Sequence, residues 1–318
     1  MRPATRLVGA VLAGVLCLAA GREAMAEPAR PLRYVSLNLL HGGVLSGLTG
    51  KDEDLEERLR IVVEELRALN PDVIGVQEAS VSRRRGNVAK RLGGQLGFHY
   101  AHTTALFRIF AFDWTNHFIA WLMNFTEGPA ILSRFPIVDV ETHNLPRCNG
   151  WYDPRVLLYA RLQTPWGELG VASTHATRGF CEASRVVELM LARRGPRPTV
   201  LMGDFNAGET SPGILALTNG AGFVDAFRTA NPGVPGLTVW QRVTAPRPTV
   251  FRRVDYLFLL PGTEVPGRVV GSRVVLDAPR QLPGGRVLWP SDHYGVLAEL
   301  EVLPPAAVSA REAPPDGS

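Results

Sequence analysis

The spacing of apolar residues changes period several times along the chain, and each change marks an element. Residues 32–39 alternate and are rich in strand-forming side chains, which predicts a first strand. The period then turns helical, with apolar residues at Leu55, Leu59, Val62, Val63, Leu66 and Leu69, and Asn70-Pro71 supplies a stop. A helix over 55–69 and a short buried strand over 73–76 follow from this. Further strands are expected at 129–133, 137–142, 155–163, 168–174, 199–203, 254–260, 268–276 and 294–302, with helices at 88–96, 184–194 and 212–219. Hairpins interleaved with strand–helix units imply an α/β protein with a mixed sheet or two sheets. No linker interrupts residues 31–303, which are expected to form one domain.

The two ends read differently. Arg2 and Arg6 precede a fourteen-residue apolar run, Leu7 to Ala20, and Ala24-Met25-Ala26 places small residues at −3 and −1. This is the layout of a signal peptide over 1–26, cleaved after Ala26, with an uncleaved anchor as the alternative. The run is shorter than the roughly 20 residues of a membrane span. Residues 304–318 read as a flexible tail. An exported protein, periplasmic or extracellular, is therefore expected. Export matters for Cys148 and Cys181, the two cysteines left after cleavage: an oxidising compartment permits a disulfide, and two unpaired buried thiols are the alternative.

Composition narrows the class. With 46% hydrophobic and 20% charged residues the chain is neither disordered nor collagen-like. The formal charge of +4 falls to +2 without Arg2, Arg6, Arg22 and Glu23, so charge neither demands nor excludes a nucleic-acid partner.

Six apolar runs end in polar residues that hydrophobic patterning does not require. They are Val35-Ser36-Leu37-Asn38, Val73 to Glu78, Gly170 to His175, Val200 to Asn206, Arg253-Val254-Asp255-Tyr256 and Pro290 to Tyr294. One such residue is ordinarily a turn or helix cap. Six in succession point to a site on one sheet edge. The set holds the carboxylates Glu78, Asp204, Asp255 and Asp292, the amides Asn38 and Asn206, and the imidazoles His175 and His293. Carboxylates and amides without thiolates suit a hard cation, Mg2+ or Mn2+, better than structural zinc. Phosphate-ester hydrolysis needs such an ion, a water in line, and donors for the equatorial oxygens.

In order and residue type these segments resemble the endonuclease/exonuclease/phosphatase superfamily, the DNase-I-like fold, over about 33–301, and Ser133-Arg134-Phe135-Pro136 is similar to its Ser-Arg-x-Pro strand. The resemblance implies a four-layer α/β/β/α sandwich. It implies that Glu78 is the main metal ligand with Asn38 and Asp292 beside it, that Asp204 orients or activates the attacking water, and that Asn206 binds the scissile phosphate. His293, held by Asp255, would contact phosphate or act as a base, and His175 would stabilise the transition state or protonate the leaving oxygen. The alternative reading of Asp255 is a purely structural one. Arg134 could touch phosphate or be an exposed strand-end residue, and Arg178 either touches substrate or solvates a loop. His41, His99, His102 and His143 lie outside the motifs and receive no role.

The substrate stays open between nucleic acid and phospholipid. Arg83-Arg84-Arg85 with Lys90-Arg91, and Arg252-Arg253, are basic clusters that a nuclease would use or that simply solvate the surface. Residues 105–125 hold seven of the 25 aromatic residues, with Phe107, Phe110, Trp114, Phe118, Trp121 and Phe125 at helical spacing. Such a stripe either contacts a membrane surface or packs on the sheet. A non-catalytic binding protein that merely kept the fold is the alternative of another class, but every expected catalytic position is filled. A monomer is expected.

Overall fold

The computed structural model describes residues 30–41, 53–105, 112–148 and 155–301. The expected signal peptide over 1–26, the tail over 304–318, and residues 106–111 of the aromatic segment lie outside the described residues. Among the described residues, no helix is long and apolar enough to cross a membrane.

In chain order the strands are β1 (Leu32–Asn38), β2 (Val73–Gln77), β3 (Val81–Ser82), β4 (Gly86–Asn87), β5 (His99–His102), β6 (Ala130–Ser133), β7 (Ile137–Asn144) and β8 (Val156–Thr164). They continue as β9 (Gly167–His175), β10 (Thr199–Asp204), β11 (Val224–Asp225), β12 (Asp255–Leu260), β13 (Arg268–Val275), β14 (Arg280–Gln281), β15 (Val287–Leu288) and β16 (Gly295–Glu301). The helices are α1 (Leu55–Leu69), α2 (Val88–Leu96), α3 (Asp113–Met123), α4 (Phe180–Leu191), α5 (Pro212–Leu215, continued by a π turn over Ala216–Gly220) and α6 (Ala226–Ala230).

Two six-stranded mixed sheets carry the structure, in the orders β13-β16-β1-β2-β6-β5 and β11-β12-β10-β9-β8-β7. Side chains alternate across each strand, so one strand feeds two cores. In β1, Leu32 and Tyr34 face the second sheet with Val73, Ile131, Met202 and Leu257, while Val35 and Leu37 face Leu59, Val62 and Leu66 of α1. On the far side, Leu201, Tyr256 and Phe258 meet Val186 and Met190 of α4. The layers are therefore helix, sheet, sheet, helix, as the sequence implied. With both faces covered, the central strands read as continuous apolar runs rather than alternating ones.

Helix α1 ends where the sequence says it should. Asn70 takes a left-handed φ of 53° and its N–H closes on Leu66 O at 3.0 Å. The sheets approach tightly at Gly75, where a Cβ would lie 2.6 Å from Met202 Cβ. Only a residue without a side chain fits there. The structure differs from expectation in short or weakly patterned pieces. Strand β5 was not anticipated, α4 begins four residues before 184, and 212–219 is a short α turn running into a π turn. Cys148, after β7, and Cys181, in the first turn of α4, form a disulfide with Cα atoms 6.1 Å apart.

Candidate active site

Topology brings six segments to one edge. β1 and β2 are parallel, with Asn38 opposite Gln77, and β9 and β10 are parallel, with Asp204 opposite His175. Parallel strands end together, so Asn38, Glu78, His175 and Asp204 leave the sheets on the same side. The antiparallel neighbours begin there: Asp255 opens β12 opposite Asp204, and Asp292-His293 precede β16, whose Val296 faces Ser36.

The polar groups then pair between the sheets. Asn38 Nδ2 donates to Glu78 Oε1 at 3.0 Å and, across the gap, to Asp204 Oδ2 at 3.1 Å. Its Oδ1 accepts from Leu40 N–H at 3.0 Å. Asn38 thus orients two carboxylates with its nitrogen, while its oxygen accepts one backbone bond and keeps a second lone pair for the metal-ligand role that the resemblance implied. Beneath the edge, Gln77 Nε2 donates to Ser173 Oγ at 3.2 Å, which donates to Val76 O at 3.1 Å.

His293 is fixed from both sides. Its Nδ1 lies 2.9 Å from Asp255 Oδ2, and its Nε2 lies 3.7 Å from Asp204 Oδ2 and 4.0 Å from Asp292 Oδ1. Burial opposes charge on the ring, but Asp255 and Asp204 outweigh it, with Asp292 adding, and hold the imidazolium well above its ordinary range. Asp204 goes the other way. Burial, reinforced by Asp255, pushes it up to about 7 against the pull of His293 and its bonds from Asn38 and Asn206 N–H. A carboxylate poised near neutrality is suited to general-base work.

His175 is buried, and burial together with the Arg155 charge keeps it neutral, well below its ordinary range. Asn206 Nδ2 donates to Ala176 O and to His175 Nε2, both at 3.0 Å. With Nε2 accepting, the neutral ring carries its proton on Nδ1. That nitrogen is buried without a hydrogen-bond partner and lies 4.0 Å from Glu78 Oε1. It is a donor facing the site.

Glu78 sits at a left-handed φ of 57° and Asn206 at 52°, conformations that cost about 1–3 kcal/mol each and cluster at functional sites. Burial would raise Glu78, yet the His41 and His175 rings and the bonds from Asn38 and His41 N–H lower it to about 2. Burial also keeps His41 and His175 neutral near pH 7. The two hydrogen bonds are then what hold Glu78 ionised. Desolvation, reinforced by the Glu78 charge, pushes half-buried Asp292 up to about 6. A cluster whose carboxylates resist sharing negative charge fits a hard cation. Glu78 also comes together with His41 and Glu127, and Asp204 with Asp255 and His293, each trio offering ligand atoms within 4.8 Å of one another.

Two expected substrate contacts separate. Arg134 follows Ser133, which pairs with Val73 at the opposite end of β2 from Glu78. It donates to Pro71 O at 2.7 Å and to Asn70 Oδ1, and lies over the Phe98 ring. Antiparallel pairing carries it away from the site, which corrects the phosphate contact expected of it. Arg178 is exposed in the turn after β9, at the site end.

A model of the Endonuclease/Exonuclease/phosphatase family matches residues 35–293. The chain belongs to this family. Its members are phosphoester hydrolases, typically metal-dependent. No curated protein matches the sequence. Among solved structures of the family, an endonuclease/exonuclease/phosphatase from Beutenbergia cavernae is 24% identical, with a TM-score of 0.61 over 86% of this chain and 72% of that one. The mannosyl-6-phosphatase of Bacteroides thetaiotaomicron is 20% identical, with a TM-score of 0.63 over 85% and 99%. TDP2 of D. rerio, complexed with a single-stranded DNA product, is 18% identical, with a TM-score of 0.59 over 85% and 98%. At these identities the likeness concerns the fold.

Three further residues stand at the candidate site. His41 contacts Glu78 through its N–H at 3.1 Å and its ring Nε2 at 3.4 Å. Glu127 joins them just before β6. Arg58, buried in α1, donates to Leu39 O at 2.6 Å, Leu40 O at 2.7 Å, Pro290 O at 3.2 Å and Glu53 O at 2.8 Å. Arg58 had a signal in the sequence, because it stands inside the apolar stripe between Leu55 and Leu59. His41, a lone loop histidine, had none.

Proposed function

We propose that the protein is an exported, divalent-metal-dependent phosphodiesterase that acts as a monomer and hydrolyses its substrate by in-line attack of an activated water. The observation that carries this is the pairing of an imidazolium, His293, between Asp255 and a carboxylate, Asp204, that burial holds near neutrality. Glu78 and Asp292 would hold Mg2+ or Mn2+, with Asn38 fixing Glu78 in place. The cation would supply charge to polarise the phosphoryl oxygens.

The remaining steps belong to the chain. Asp204 accepts the proton of the attacking water. His293 and the Nδ1–H of His175 donate toward oxygens on which charge develops, and Asn206 holds His175 in the tautomer that can donate. Arg178, exposed at the site end of β9, is placed to meet a charged substrate. Support for export comes from the signal-peptide pattern and from the Cys148–Cys181 disulfide. Hydrolysis of bis-p-nitrophenyl phosphate before and after chelation tests the reading. Activity should vanish with EDTA and return with Mg2+ or Mn2+. Activity unchanged after thorough chelation refutes the metal assignment.

A further inference from the structure

We propose that the exposed face of α3 is a docking surface for anionic phospholipid bilayers, which brings the catalytic edge to a lipid head-group phosphodiester; the substrate half of this rests on the phosphodiesterase reading. The sequence left two roles open for the aromatic stripe, and the packing separates them. Asn116 and Ala120 are buried and fix the helix to the body, while Trp114, Phe118, Trp121 and Leu122 point outward at 70%, 54%, 59% and 53% exposure. Residues at i, i+4, i+7 and i+8 share one helical face. Phe112, at 66% exposure, extends the patch. Of the stripe's described members only Phe125, beyond the end of the helix, turns inward. A contiguous, outward aromatic face on an anchored helix marks an interaction surface.

The surroundings say what would cover it. The Arg83 guanidinium lies 5.2 Å from the Trp121 ring centroid, and its backbone N–H donates to Asn124 Oδ1 at 2.7 Å. Arg84 and Lys90 are exposed nearby in sequence. Beneath Arg83 and Trp121 opens a cleft of about 360 Å³, lined also by Ser82, Thr104, His117 and Thr126, with no carboxylate among its described lining residues. Donors beside an apolar face match a head-group phosphate above acyl chains: tryptophans enter the interface and the cation stays at its polar level. Buried packing also links the base of the helix to the candidate site. Phe125 meets His41 edge-on, with ring centroids 4.9 Å apart, and His41 touches Glu78.

A single-stranded nucleic acid fits less well. Phe118 and Trp121 stack on each other at 5.9 Å, which occupies the ring faces that bases would use. The helix itself carries no Lys or Arg with which to neutralise successive phosphates.

Co-sedimentation with vesicles decides the question, using pure phosphatidylcholine against an equal mixture with phosphatidylglycerol. The full chain should bind the mixed vesicles more tightly, and less so as salt rises. The double variant Trp114→Ser/Trp121→Ser should lose at least about tenfold in vesicle affinity, and Arg83→Ser should erase the preference for the anionic mixture. Both variants should hydrolyse soluble bis-p-nitrophenyl phosphate at the parent rate. The proposal is overturned if the parent ignores vesicles or if the double variant binds them as well as the parent. It is also overturned if the substitutions instead weaken single-stranded DNA binding or dissolve a dimer. Vesicle binding without any phosphodiester hydrolysis would uphold the docking surface and refute the phosphodiesterase reading.

Discussion

Arg58→Met removes a guanidinium while keeping a stem of similar length. Arg58 is 1% exposed, and four of its hydrogen bonds, among the described residues, reach both loops at the candidate site. Leu39 and Leu40 connect Asn38 to His41, and Pro290 leads into Ser291-Asp292-His293. Hydrogen bonds to a charged group are worth about 1.5–3 kcal/mol each, so simple addition gives roughly 6–12 kcal/mol. That sum rivals the whole stability of a domain, about 5–15 kcal/mol, and cannot be the net cost. The bonds to Leu40 O and Glu53 O are partly buried and can be replaced by water, whereas those to Leu39 O and Pro290 O are fully buried. Orphaning two buried carbonyls, at about 1–3 kcal/mol each, sets the loss at about 2–6 kcal/mol. Urea denaturation at constant pH reads this as a lower midpoint with unchanged slope. Hydrolysis measured well below that midpoint should show a lower kcat, because Asn38 and Asp292 lose their common anchor. Arg58→Lys, with one ammonium for the four bonds, should recover part of both. A loss below about 1 kcal/mol in Arg58→Met, with kcat unchanged, refutes the reasoning.

The other expectations are shorter. Reducing the Cys148–Cys181 bridge, 33 residues apart, should cost about 3.7 kcal/mol by loop entropy; an unchanged urea midpoint under reductant would contradict it. Glu78→Ala, Asp204→Asn and His293→Ala should each lower kcat by about three orders of magnitude or more with the fold intact, and near-parent rates in all three would displace the site. Gly75→Val should destabilise by about 1–3 kcal/mol or more through overpacking against Met202, which thermal unfolding measures. His102 is held below its ordinary pKa of 6.5 mainly by burial, with Nε2 3.0 Å from Ala79 O. The unfolded chain therefore takes up the proton first as pH falls through 6.5, so stability declines there. His102→Gln should flatten that decline, and an identical pH profile in the variant would rule it out.

The convergence of the candidate residues on one edge was legible because strand-end chemistry survives in one dimension. Asn38, Glu78, His175, Asp204, Asp255 and His293 each follow or precede an apolar run, and parallel pairing of β1 with β2 and of β9 with β10 brings the runs' ends together. Arg134 shows where this logic stops. Its neighbours in sequence resemble the family's motif, but only the antiparallel register of β6 on β2 reveals at which end of the sheet it lies. Asn38 likewise could be assigned to the site but not oriented, because which amide atom faces Glu78 depends on the Leu40 N–H. For α3 the periodicity marked the helical face but not its exposure. Whether an apolar stripe points in or out depends on whether another element is there to receive it.

The hydrogen bond from Asn38 to Asp204 and the contact of His293 with Asp255 both span from one sheet to the other, directly above the tight approach of Gly75 to Met202. The candidate catalytic groups are thus split between two rigid plates, and their separation is a calibration set by the side chains packed between them. Close-packed interiors pass small displacements along rather than absorbing them. A methylene added or removed far below the site, at Tyr34 or Leu257 for instance, would reset the gap in which a phosphate must be gripped. The loops and α3 stand outside that gauge. Substrate preference can drift at the rim while the hydrolytic spacing stays locked in the core.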